Sequence, residues 1–218
     1  MKSSFTLFVH IVSLIFCLNS NAQQIELYEQ FFGKYDYVAI GNTLNIGENN
    51  FGPCTMLTQS SATLNLNADQ TVVTAYLYWA GSSFTADFDV KLNGIDISAE
   101  RTFSSSLLIN DMTLSYFGGF ADVTTIVQDA GNGEYTFSDM DLNTGLQVYC
   151  NSGQNFGGWS IIVIYEDPIF INNLVNVYDG FEVVAGFSPL LEIQLEGINV
   201  IDPQGGKIGF LAWEGDAS

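Results

Sequence analysis

The sequence predicts an all-β protein: an antiparallel β-sandwich of jelly-roll type, with about ten strands and at most one short helix. Three observations carry that prediction. Apolar and polar residues alternate with a period of two through most of the chain. Turn residues, chiefly Gly, Asn and Asp, separate those stretches at regular intervals. Sustained 3.6-residue periodicity is missing. With 47% hydrophobic and 14% aromatic residues, the chain has enough apolar surface to bury a core, which excludes a disordered polypeptide.

The first 22 residues have the three parts of a secretory signal. Lys2 supplies the positive charge, residues 5–18 are apolar apart from Thr6, His10 and Ser13, and Ser20-Asn21-Ala22 offers a cleavage point before Gln23. The apolar run is shorter than the roughly 20 residues that span a bilayer. Residues 23–218 then form one domain, either complete or the first module of a longer protein.

The strands follow in order. Residues 35–40 make the first, before a Gly- and Asn-rich loop over 41–53. Residues 62–66 alternate, placing Leu64 and Leu66 on one face. Residues 72–79 are apolar on both faces, the pattern of a central strand covered on two sides. Residues 87–92 and 95–99 flank Asn93-Gly94, a pair able to adopt the positive φ angles of a hairpin turn. Residues 112–120 form a strand bent at Gly118-Gly119. Asp122 can cap a short helix over 123–128 that Gly131 ends. Residues 133–140, 159–165, 174–184, 190–195 and 208–213 complete the set. In 190–195, Leu191, Ile193 and Leu195 face in while Glu192 and Gln194 face out.

Charge and missing residue types narrow the chemistry. After the leader, 24 Asp and Glu stand against Lys34, Lys91, Arg101 and Lys207, a formal charge of −20. Nucleic acid is excluded as a partner, because phosphate binding needs clustered cations. The one histidine, His10, lies in the leader, so the mature chain lacks the usual general base, zinc ligand and triad member. Cys54 and Cys150 are the two cysteines outside the leader; in an exported chain they predict one disulfide, with two unpaired buried thiols as the alternative.

Five stretches together resemble a known module. They are Val73-Thr-Ala-Tyr-Leu-Tyr-Trp-Ala-Gly81, Phe120-Ala-Asp-Val-Thr124, Gly157-Gly-Trp-Ser-Ile-Ile-Val-Ile-Tyr-Glu-Asp-Pro168, Val177-Tyr-Asp-Gly-Phe181 and Ala212-Trp-Glu-Gly-Asp216. In that order they are similar to the N-terminal β-rich domain of large surface proteins of gliding bacteria. Such proteins often end in a gliding-motility-associated C-terminal domain that directs type IX secretion. The resemblance implies an adhesin-like role at the cell surface and brings no catalytic residues. Downstream repeats and the sorting domain are not in this sequence.

Candidate sites come from the residues themselves. Asp139, Asp141 and Asn143 place oxygen-bearing side chains at alternate positions, a start toward a Ca²⁺ site; solvated strand-end carboxylates are the alternative. Asp87 with Asp89, and Glu166 and Asp167 with Asp179, are looser groupings. Trp79, Trp159 and Trp213 are either core residues or platforms for sugar rings. Residues 143–158 read as a polar loop that the disulfide would pin against residues 41–53, with Asn151, Gln154, Asn155 and Phe156 as ligand contacts. Two carboxylates suffice for glycoside hydrolysis, but nothing singles out a pair. The expected function is an exported, cell-surface interaction or adhesion module for a glycan or a partner surface protein, and not an enzyme. A carbohydrate-active enzyme or accessory module, and a structural subunit of a surface assembly, are the alternatives.

Overall fold

A computed structural model describes residues 23–47, 53–185, 190–198 and 205–213. The expected leader, residues 1–22, lies outside the described residues. The antiparallel β-sandwich predicted from the sequence is the observed architecture, built among the described residues from eleven strands and two short helices.

The middle layer is a five-stranded sheet in the order β2-β10-β4-β8-β7. Its strands are β2 (Tyr35–Thr43), β4 (Thr71–Ser82), β7 (Arg101–Ile109), β8 (Met112–Asp122) and β10 (Gly157–Glu166). A four-stranded sheet, β3 (Gln59–Leu64), β9 (Gly133–Ser138), β5 (Asp89–Leu92) and β6 (Ile95–Ser98), packs on one face. On the other face lies a two-stranded ribbon of β1 (Gln23–Gly33) and β11 (Asn173–Phe181).

Strand β4 shows why the middle sheet is covered twice. Ala75, Leu77 and Trp79 enter the core shared with the four-stranded sheet, where the Phe137 and Trp159 rings stack 5.7 Å apart. The alternate residues Tyr76, Tyr78 and Ala80 enter a second core with Phe103, Phe120, Val177 and Phe181, roofed by the ribbon. Burying each side chain of this size contributes about 3 kcal/mol, so both faces add to stability. Trp79 and Trp159 are core residues, and each indole N–H has a partner: Asp87 O at 3.1 Å and Ser60 Oγ at 2.9 Å.

The Asn93-Gly94 hairpin is present, with φ of 52° and 77°. Helix α1 (Thr124–Ala130) replaces the expected 123–128. Asp122 bonds the Thr124 N–H from one position before the N-cap Val123, and Gly131 ends the helix at φ 64°. The ladders of β8 to β4 and β7 run through the Gly118-Gly119 pair without a register shift. Gly119 makes room for Trp79: a Cβ there would lie 2.3 Å from the indole.

Four expectations are corrected. β1 and β7 were not foreseen, because Gln23–Gly33 and Arg101–Ile109 carry weak alternation. The loop assigned to 143–158 contains helix α2 (Leu146–Ser152), so the fold has two helices where one was expected. Residues 190–195 and 208–213 are not strands. The segment 190–198 is held by side chains: Tyr178 Oη donates to Glu196 O, and Gln30 Nε2 donates to Gly197 O at 3.1 Å. Ile193 and Leu195 are half-buried as the alternation required, whereas Leu191 is 38% exposed, and among the described residues the segment joins no β-ladder.

Candidate functional site

A groove of about 670 Å³ opens where β2 and β10 meet the segment 205–213. Its lining runs from Ala39 to Thr43 on β2 and from Phe156 to Ser160 on and before β10. Asn45, Ile46 and Gly47 close one end, and Leu211, Ala212 and Trp213 form a wall. Of the three tryptophans, Trp159 and Trp213 line this groove; Trp159 is buried in the core, whereas Trp213 is half-buried. A Cβ on Gly158 would lie 3.3 Å from the Trp213 ring, so glycine at 158 lets the indole lie close to the sheet. Gly41 is equally constrained, with a Cβ there falling 2.2 Å from the Trp159 carbonyl oxygen.

The groove's polar side chains are occupied in building it. Asn45 donates through Nδ2 to Asn155 O at 2.9 Å and accepts the Gly157 N–H at 3.0 Å. Asn42 Nδ2 donates to Ser61 O at 2.8 Å, while its Oδ1 accepts the Thr43 N–H at 2.9 Å. Thr43 Oγ1 donates to Gly157 O at 3.2 Å. Among the described residues, none that lines the groove is charged. The nearest ion pair joins Lys207 Nζ to Asp36 Oδ1 at 2.9 Å, with the ammonium 4.1 Å from the Tyr37 ring centroid.

Behind this end of the sheet sits the disulfide. Cys54 and Cys150 are bonded, with Cα atoms 5.8 Å apart, so α2 is tied to the segment that follows β2. Beside Cys150, the Tyr149 hydroxyl accepts the Ser115 N–H at 3.0 Å and donates to Ser115 O at 2.7 Å. The β4 ladder on β8 stops at Tyr116, so Tyr149 satisfies the next backbone groups of β8.

The expected ligand contacts do not form one surface. Asn151 is exposed on α2 and accepts from Gln147 Nε2 at 2.9 Å. Gln154 Oε1 accepts the Tyr116 hydroxyl at 3.1 Å. Asn155 and Phe156 are buried, and Phe156 stacks on Tyr116. Phe156 also reaches the groove, and of the four it is the one that does.

The candidate cation ligands are likewise directed apart. Asp139, at φ 69°, accepts from Lys91 Nζ at 2.6 Å, and this bond holds its carboxyl below the usual range. Asp141 Oδ1 accepts both the backbone N–H and Nδ2 of Asn143, at 2.9 and 2.6 Å. Among the described residues no three His, Cys, Asp or Glu side chains gather as a metal site. Asp87 and Asp89 bond Asp141 N–H and Ser98 Oγ respectively, and Asp167 accepts from Gln70.

A second polar cluster lies under the ribbon and was not foreseen beyond Asp179. Arg101 Nη1 forms an ion pair with the buried Asp179 Oδ2 at 2.9 Å. The guanidinium also sits 4.8 Å from the Tyr28 ring centroid. Burial raises the Asp179 carboxyl above the usual range, while Arg101 pulls it back. Nearby, Tyr76 donates to Glu29, whereas the buried Tyr78 hydroxyl has no hydrogen-bond partner among the described residues.

The chain matches no protein-family model, no curated protein and no solved structure. Among the described residues no helix is long and apolar enough to cross a membrane.

Proposed function

We propose that this chain is an exported, surface-associated interaction module that holds a glycan or a partner surface protein in the β2–β10 groove. The observation that carries this reading is the groove itself: an uncharged trough walled by Trp213, fixed at one end by loops tied through Cys54–Cys150. Concave sites with an aromatic wall and few polar anchors are the usual form of a ligand pocket. The disulfide supports export, since such bridges persist in oxidising compartments. The likeness to N-terminal domains of gliding-bacterial surface proteins points the same way.

The test is a glycan-array and surface-protein screen on the purified protein and on Trp213→Ala, each with and without Ca²⁺. Binding that falls at least tenfold in the variant supports the reading. Binding untouched by Trp213→Ala removes the groove from it. Turnover of a polysaccharide panel, lost on replacing one carboxylate, would replace it with a carbohydrate-active enzyme.

A further inference from the structure

The backbone of β2 shows which partner the groove favours. Among the described residues β2 is an edge strand, paired with β10 alone. The Leu44 N–H donates to Gly157 O at 2.7 Å just past the strand, which fixes the even-numbered positions as those facing β10. The odd-numbered positions therefore turn their N–H and C=O groups to the open side.

Four of these open groups, on Tyr35, Tyr37 and Thr43, are capped by side chains. Tyr35 O accepts from Asn173 Nδ2 at 3.2 Å, and Tyr37 O accepts from Lys207 Nζ at 2.5 Å. The Tyr37 N–H is taken by Asp36 Oδ1 at 2.7 Å and the Thr43 N–H by Asn42 Oδ1 at 2.9 Å. Such capping is how an edge is protected from pairing. Between the capped positions lie Ala39 and Gly41, whose outward N–H and C=O groups meet no partner among the described residues. Both residues line the groove.

We propose that this gap takes an extended, cationic peptide segment of a partner protein, which adds to the middle sheet as a short strand beside β2. The proposal rests on the groove reading above and selects a protein partner over a glycan. Two donors and two acceptors alternating along a strand edge match another backbone, as in β-strand addition. The side chains that could bond sugar hydroxyls are already used within the groove. Alternate side chains of the incoming strand reach Leu211 and Ile46, which are 39% and 51% exposed.

Charge selects the kind of peptide. The chain carries a formal −19, and Lys34, Lys91, Arg101 and Lys207 are each engaged with a carboxylate or a carbonyl. A cationic segment is drawn in by that field, while a second copy of this chain is repelled.

The test screens octapeptides of alternating apolar and Thr residues, flanked by Lys or by Glu, against the purified protein. Anisotropy titrations then compare the best binders on the unaltered chain, Ala39→Pro and Trp213→Ala. Proline removes the Ala39 N–H from the open edge, where proline is tolerated. N-methylation of alternate peptide amides makes the same test without altering the protein. Lys-flanked peptides are expected to bind at least tenfold more tightly than Glu-flanked ones. Ala39→Pro and peptide N-methylation are each expected to weaken them at least tenfold. Three results overturn the proposal: no peptide binding, peptide binding indifferent to both backbone changes, or a dimer in light scattering that Ala39→Pro dissolves. Glycan binding lost in Trp213→Ala but kept in Ala39→Pro removes strand addition and leaves the groove reading standing. If neither variant alters binding of any probe, both fall.

Discussion

Removing the Arg101 guanidinium tests how the ribbon is held to the middle sheet. Arg101→Met keeps the aliphatic stem but leaves Asp179, which is 6% exposed, without the cation 2.9 Å from its Oδ2. Breaking a fully buried pair from one side costs roughly 3–5 kcal/mol. The Arg101 side chain is 36% exposed, so solvent screens part of the attraction and the expected loss falls to about 2 kcal/mol. The pH dependence has a definite sign. The Asp179 carboxyl titrates higher in the folded than in the unfolded protein. Its contribution is then complete below the unfolded value near 3.9 and is lost as pH rises through the raised folded value. Without Arg101 that folded value rises further, so the penalty in Arg101→Met should shrink as pH is lowered from 7.5 to 5. Asp179→Asn in the same chain should recover most of the loss at pH 7.5, because a neutral amide needs no cation. The assay is urea unfolding followed by tryptophan fluorescence, run as a double-mutant cycle at both pH values. A loss below about 0.5 kcal/mol, or one that neither pH nor Asp179→Asn changes, would refute the reasoning.

Three further outcomes are expected. Cys54→Ser with Cys150→Ser should lower stability by about 4–5 kcal/mol, from the chain entropy of a 96-residue separation, read as a fall in the urea midpoint; two free thiols in the native protein by mass analysis would contradict the bridge. Gly119→Ala should cost about 1–3 kcal/mol, because the new methyl lands 2.3 Å from the Trp79 ring. Tyr149→Phe should cost about 1–3 kcal/mol by leaving both backbone groups of Ser115 unpaired, with faster amide exchange confined to β8 around Ser115.

The sequence made the sandwich legible wherever side chains alternate against a core, as in β4 and β10, and wherever a turn demands a positive φ, as at Asn93-Gly94. It lost β7 because Thr102, Ser104, Ser106 and Leu108 face solvent while Ser105 shares the inner face with Phe103 and Leu107. The next turn, Asn110-Asp111, has φ of 49° and 63° but lacks the glycine that marked the earlier hairpin. Of the candidate site residues, Cys54 and Cys150 form the expected disulfide, and Phe156 lines the groove from a buried position. Asn155 is buried, which the sequence did not show, because a polar residue beside a glycine pair reads the same whether it faces a ligand or knits a loop. The groove itself was not readable: it depends on an edge strand meeting a segment 170 residues later in the chain, as in the Lys207–Tyr37 contact.

Residues 190–195 and 208–213 show what a period-two pattern reports. Alternation records which side chains turn toward the protein; it carries no information on whether a neighbouring backbone is present to complete a ladder. Leu195 and Ile193 obey the pattern while their own N–H and C=O groups stay outside any sheet. A strand is a pairing, and neither segment lies in a ladder with any described strand. The same reasoning run in reverse identifies Ala39 and Gly41. Their side chains are too small to register as a hydrophobic stripe, yet their outward N–H and C=O groups meet no partner among the described residues. Interaction capacity in this fold therefore concentrates where side-chain patterning is weakest and backbone pairing is incomplete.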